Sequence, residues 1–196
     1  MRYFIAHLLS GDVERYYEKL SDALTLGFKT IPLHERVPAH ITVKPPFDAN
    51  DEGLADVERT LRAFALEEKP IQLTISNFGH FGFRTIYLDV RNANVAGLIR
   101  RAVSFLDMQV PWLPKSTKDG NKPHVSVARF LSRTQSRRIW RALKEVSLLL
   151  TTSVDNVAIL KKEGKRWVLH SLIPLGGSEN GFRYRPASEL AESRLL

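Results

Sequence analysis

The chain has 196 residues, 43% of them hydrophobic, which is enough for one or two compact lobes around a substantial core. It contains no cysteine, which excludes a disulfide framework, a thiolate metal site and a cysteine nucleophile. Its formal charge of +8 favours polyanionic partners, although the basic residues are spread along the chain as on an ordinary solvated surface.

The opening apolar run is interrupted by His7 and is too short for a secretory core. No later segment approaches the roughly 20 apolar residues of a membrane span, so the sequence reads as soluble and cytoplasmic. Residues 3–9 read as a strand, after which Val13, Tyr16, Tyr17, Leu20 and Leu24 recur at helical spacing up to a stop at Gly27. Ala39 to Val43 reads as a second strand, and Leu54, Val57, Leu61 and Phe64 mark a second amphipathic helix that ends before Pro70. A hairpin follows, with Ile71, Leu73 and Ile75 on one face, a turn at Gly79-His80-Phe81-Gly82, and a return strand through Ile86, Leu88 and Val90.

The same series then begins again. Val95, Leu98, Ile99, Ala102, Val103 and Leu106 have helix spacing, and Pro111 and Pro114 break the chain before a strand over Pro123 to Phe130. Ser132 and Gln135 have capping-box spacing ahead of Ile139, Leu143 and Val146. A last hairpin runs through Val157 and Ile159, a Glu163-Gly164 turn, and Trp167 and Leu169. Positions 3 and 84, 40 and 124, and 71 and 154 are equivalent at a nearly constant offset, which suggests a duplication with halves of about 1–83 and 84–175. Two copies do not make a solenoid; they fit one bilobal α+β domain over 1–175 with a pseudo-twofold axis. Residues 176–196, including Gly176, Gly177, Asn180 and Gly181, have no counterpart and read as an irregular extension without an assigned role.

The equivalent strands carry His40-Ile41-Thr42-Val43 and His124-Val125-Ser126-Val127. With a period of two, His40 and Thr42 leave one face while Ile41 and Val43 enter the core, and His124 and Ser126 do the same over Val125 and Val127. A His-x-Ser/Thr with apolar residues at the second and fourth positions has a chance expectation of roughly 0.1 per chain of this composition, and here it occurs twice at matching positions. His7, His34, His80 and His170 fail the pattern.

These motifs resemble the 2H phosphoesterase superfamily with its paired His-x-Thr/Ser-x motifs, and in particular its 2'-5' RNA ligase-like members, the RNA 2',3'-cyclic phosphodiesterases. Pro38 and Pro123 before the motifs, the Lys44-Pro45-Pro46-Phe47 continuation and the order of elements carry the resemblance, which covers all but the tail. It implies two pseudo-symmetric lobes, each an antiparallel sheet with outer helices, flanking a central cleft. His40 and His124 would be catalytic, and Thr42 and Ser126 would bind phosphate.

The residue chemistry agrees. Hydrolysis of a cyclic phosphodiester needs a base for water and an acid for the departing ribose oxygen, and histidine titrates in the range for both. The hydroxyls can donate to phosphate oxygens. No cofactor or metal is required, and two histidines with hydroxyl neighbours make a poor metal site. Run backwards, the geometry would join a cyclic end to a 5'-hydroxyl. Lys44, two residues beyond Thr42, is a candidate phosphate cation; its counterpart is Ala128, and the nearby Arg129, although of opposite phase, is a further candidate for substrate binding. Arg84 is a similar candidate. Phe47, Phe81, Phe83, Phe130 and Trp112 are available to stack a base, with core packing as the ordinary alternative. The competing readings are a non-catalytic RNA-end binding module and a phosphodiesterase for small nucleotides or 2',5'-linked oligonucleotides. Duplicated half-sites in one chain make a monomer the expected state.

Overall fold

The computed structural model describes residues 1–115 and 122–177, so the tail from 178 onward lies outside the described residues. Strand β1 (Arg2–Leu8) leads into helix α1 (Asp12–Phe28), strand β2 (His40–Asp48) and helix α2 (Asp51–Glu67). Strands β3 (Ile71–Phe81) and β4 (Thr85–Val90) form a hairpin, followed by α3 (Ala93–Gln109), β5 (His124–Arg129) and α4 (Arg133–Leu143). Strands β6 (Leu149–Val154), β7 (Asn156–Glu163) and β8 (Arg166–Pro174) complete the order.

Side chains cap three of the helices. Asn50 accepts from Gly53 N–H, Asn92 accepts from Asn94 and Val95 N–H, and Ser132 with Gln135 forms the expected capping box. Helix α1 does not stop at Gly27. It runs to Phe28 and closes with Lys29 in the left-handed region (φ 54°), its N–H donating to the Thr25 carbonyl. Strand β2 is longer than expected because it continues through Pro45 and Pro46; as the edge strand of its sheet it tolerates two residues that cannot donate to a ladder. The turn expected at 79–82 also shifts. Gly79, His80 and Phe81 stay in the ladder opposite Tyr87, Ile86 and Thr85, and the chain reverses at 82–84. Val146 falls beyond the end of α4.

The two sheets are antiparallel with four strands each, ordered β2-β1-β7-β8 and β5-β4-β3-β6. They correspond strand for strand, but each draws on both sequence halves. The β3–β4 hairpin pairs across the expected midpoint, and β7 from the second half pairs with β1 from the first. Helix α2 packs on the β7–β8 side of the first sheet, α1 and α4 pack with the second, and α3 lies against α2, β2 and β3. The edge strands β2 and β5 meet where the sheets approach.

The β1–β7 seam has a polar stitch inside the core. Asn156, 1% exposed, accepts from Leu8 N–H and donates to the Leu8 carbonyl, while its own carbonyl accepts from His7 Nδ1. Replacing Asn156 by Leu orphans both main-chain groups of Leu8, and urea unfolding is expected to record a loss of roughly 2–4 kcal/mol. Burial lowers the His7 pKa from 6.5 to about 4, so the unfolded chain takes up the proton first. Stability is therefore expected to fall as pH drops from about 6.5 towards 4, a decline that His7→Gln should reduce.

Candidate active site

Strands β2 and β5 both begin on a histidine, and both contain a bulge at the same place. Leu8 pairs with His40, His7 with Ile41 and Ala6 with Thr42, after which the ladder skips Val43 and pairs Ile5 with Lys44. Likewise Asp89 pairs with His124, Leu88 with Val125 and Tyr87 with Ser126, and the ladder then skips Val127 to pair Ile86 with Ala128. Before the bulge, alternation holds: His40 and Thr42 share one face, His124 and Ser126 share its counterpart, and Ile41, Val43, Val125 and Val127 are buried behind them.

An extra residue reverses the phase of everything beyond it. Lys44 therefore does not follow Thr42 into the cleft. It is 1% exposed, and its Nζ donates to the Asp107 carboxylate of α3 at 2.7 Å, so it acts as a core ion pair rather than a phosphate cation. The same reversal works in favour of Arg129. Expected out of phase, it returns to the face of His124 and Ser126, and its charge acts on both imidazoles.

The imidazoles are held alike. His40 Nδ1 lies 2.8 Å from the Pro38 carbonyl, and His124 Nδ1 lies 2.8 Å from the Lys122 carbonyl. A carbonyl only accepts, so in both rings Nδ1 carries the proton and Nε2 is left for other work. Burial pushes His40 down to about 4; the Pro38 carbonyl opposes this, and the charges of His124 and Arg129 reinforce it. His124 is lowered for the same first reason, with the Lys122 carbonyl opposing and Arg129 and Lys122 adding to the shift.

Aromatic rings fix both imidazoles. Phe4 meets His40 edge-on at 5.2 Å and is itself backed by Trp167 at 4.8 Å. Phe81 meets His124 edge-on at 4.8 Å, and Tyr87 lies 5.3 Å away. Gly79 makes room for Tyr87, since a Cβ there would fall 2.4 Å from the ring. Lys122 donates to the Tyr87 hydroxyl at 3.0 Å and pairs with Asp89, which also accepts from Arg91 at 2.7 Å. Among the described residues, no group of three or more His, Cys, Asp and Glu side chains is arranged to hold a metal ion.

The family model of the 2'-5' RNA ligase superfamily matches residues 13–166. The chain belongs to this superfamily. A Geobacillus sp. (strain WCH70) protein with a phosphoesterase name is 26% identical over 147 residues, covering 73% of this chain and 82% of the relative. A similarly named Bacillus pumilus (strain SAFR-032) protein is 28% identical over 149 residues, covering 74% and 84%. Among solved structures, TT0787 of Thermus thermophilus superposes with a TM-score of 0.62 at 21% identity, over 91% of this chain and all (100%) of that one. E. coli LigT complexed with 3'-AMP gives 0.61 at 15% identity over 89% and 97%. The fold of this superfamily member is therefore the two-sheet 2H phosphoesterase fold, as the motifs implied.

The remaining candidates divide by exposure. In this superfamily member Phe47 is 3% exposed and packs against Tyr3 and Trp112, which makes it a core residue rather than a stacking platform. Phe130 is 68% exposed, stands in the left-handed region (φ 60°) and lies 5.3 Å from the Arg129 guanidinium. A bulky side chain adopts that backbone only under constraint. Arg84 is exposed at the β3–β4 turn, over Phe83. Sequence reading missed Phe4, Tyr87, Lys122 and Asp89. The first, second and fourth sit in strands opposite the motifs, and only pairing register reveals them.

Histidine C2-proton titration by NMR is expected to place both His40 and His124 below 6.5, with His40 near 4. Arg129→Ala removes a cation that opposes protonation, so both values should rise; unchanged values would mean that Arg129 does not face the pair.

Proposed function

We propose that this chain is a metal-independent phosphodiesterase that opens 2',3'-cyclic phosphate ends of RNA to a phosphomonoester. The observation that carries this reading is the pair of Nδ1-tethered imidazoles, each with a hydroxyl two residues on, projecting from edge strands that meet at the cleft. Neutral His40 takes a proton from water through Nε2 as the water oxygen attacks phosphorus. Protonated His124 gives its proton to the ribose oxygen as the P–O bond breaks. Thr42 and Ser126 donate to the non-bridging oxygens, and Arg129 supplies the cation that Lys44 does not. His40 is assigned as base because it is the more buried of the two rings, and burial favours the neutral imidazole.

The test is turnover of a cyclic-phosphate-ended RNA in excess EDTA. Each of His40→Ala and His124→Ala is expected to reduce kcat by about 10²–10⁴-fold, and Thr42→Ala or Ser126→Ala by about 10²–10³-fold. Full activity of either histidine variant sinks the mechanism. Binding of RNA ends without turnover would indicate a binding module, and faster turnover of a cyclic mononucleotide or 2',5'-linked oligonucleotide would redirect the substrate.

The pH profile carries its own sign. The plot of kcat/KM should rise through about 4 as His40 loses its proton and fall at a value below 6.5 as His124 does so. In kcat the alkaline limb should move up, because a bound phosphate anion favours the imidazolium.

A further inference from the structure

Helix α4 carries four arginines and no acidic residue in its 11 residues. It buries Ser136, Ile139 and Leu143, and its Trp140 meets His80 of β3 at 4.8 Å. Its other flank faces the end of α1, where Gln135 Nε2 donates to the Phe28 and Lys29 carbonyls and Arg138 stands 5.7 Å from the Phe28 ring. Arg133, Arg137 and Arg141 remain, one turn apart on the flank beside the β3–β4 hairpin, all exposed, with a rise of about 6 Å between neighbours. Among the described residues none of the three pairs with an acid, unlike Arg15, Arg59, Arg91 and Arg101 but like Arg62 and Arg100, so it is their alignment on one helix that sets them apart. Like charges at this spacing repel, so the stripe works against the helix that displays it.

The hairpin tip joins this stripe to the histidines. Phe81 touches His124, and Phe83, two residues further on, is flanked by the guanidinium groups of Arg133 at 5.2 Å and Arg84 at 5.8 Å. Arg129 and the exposed Phe130 continue the same surface.

We propose that this surface is a track for single-stranded RNA. The α4 arginines hold successive backbone phosphates upstream of the end that reaches His40 and His124, and Phe83 and Phe130 offer faces on which bases stack. The inference rests on the reading of the site given above and adds to it a substrate class: a strand of several nucleotides rather than a mononucleotide. Guanidinium contacts to phosphate and stacking on rings carry no base-edge readout, so the track tolerates any sequence.

The test is fluorescence anisotropy with labelled RNA ending in a 3'-phosphate, which needs no turnover. Arg133→Ser/Arg137→Ser/Arg141→Ser is expected to weaken binding of a strand of about ten nucleotides by at least about tenfold and to reduce the slope of log K against log salt by about 2, from roughly 0.7 per phosphate contact. Arg15→Ser/Arg59→Ser/Arg62→Ser removes the same charge elsewhere and should leave binding within about twofold. With wild-type protein alone, affinity should rise with each added nucleotide over about the first four and then level off. Unchanged binding by the stripe variant, an equal loss in the control variant, or affinity independent of strand length overturns the proposal. Absence of turnover on every cyclic phosphate would overturn the proposed reaction and leave this binding result standing.

Discussion

Each central imidazole is tied through Nδ1 to a main-chain carbonyl two residues upstream, and the rest of the site depends on that bond. It fixes the tautomer, so the same nitrogen, Nε2, is left unprotonated in each neutral ring. It also fixes ring orientation without a carboxylate partner, which would have raised the imidazole pKa. Strand pairing does the remaining positioning: β1 and β4 set the register of β2 and β5, and the rings of Phe4, Phe81 and Tyr87 limit how far the imidazoles can swing.

The two histidine strands are alike in backbone and unlike in surroundings. Pro38 stands where Lys122 stands in the second motif, so only His124 has a cation and an acid–base network at its back. Arg129 has no basic counterpart, since the equivalent position in the first half is Pro45. The matching strands supply two imidazoles of the same geometry, and burial, the largest influence on both, bears harder on His40. A pair with distinct proton affinities is what an acid and a base acting in one step require.

Much of this was legible in the sequence because it is local. Periodicity located the helices, the Ser132–Gln135 spacing announced its cap, and the repeated tetrapeptide singled out His40, Thr42, His124 and Ser126. What failed depended on pairing. The bulges at Val43 and Val127 are invisible in one strand read alone, yet they turn Lys44 into the core and return Arg129 to the face of the histidines. Strand β6 was missed because Leu148-Leu149-Leu150 reads as a continuation of the α4 pattern, and its half-exposed edge position shows no clean alternation. The exchange of hairpins between halves is a long-range choice that no local signal encodes.

That exchange has a consequence for how the polypeptide acquires its shape during synthesis. Strand β1 is made before the other strands of the fold, but its inner neighbour β7 lies about 150 residues further on, so the first sheet cannot close until nearly all the described chain has emerged. The second sheet spans a shorter stretch, from β3 to β6, and is complete earlier. Nascent β1 and β2 must wait as a two-stranded ribbon, which is marginal in water, or shelter against α1 and α2 in the meantime. Long-range pairing of this sort raises contact order and slows folding. The cleft, framed by the edge strands of both sheets, is consequently among the last features of the molecule to exist.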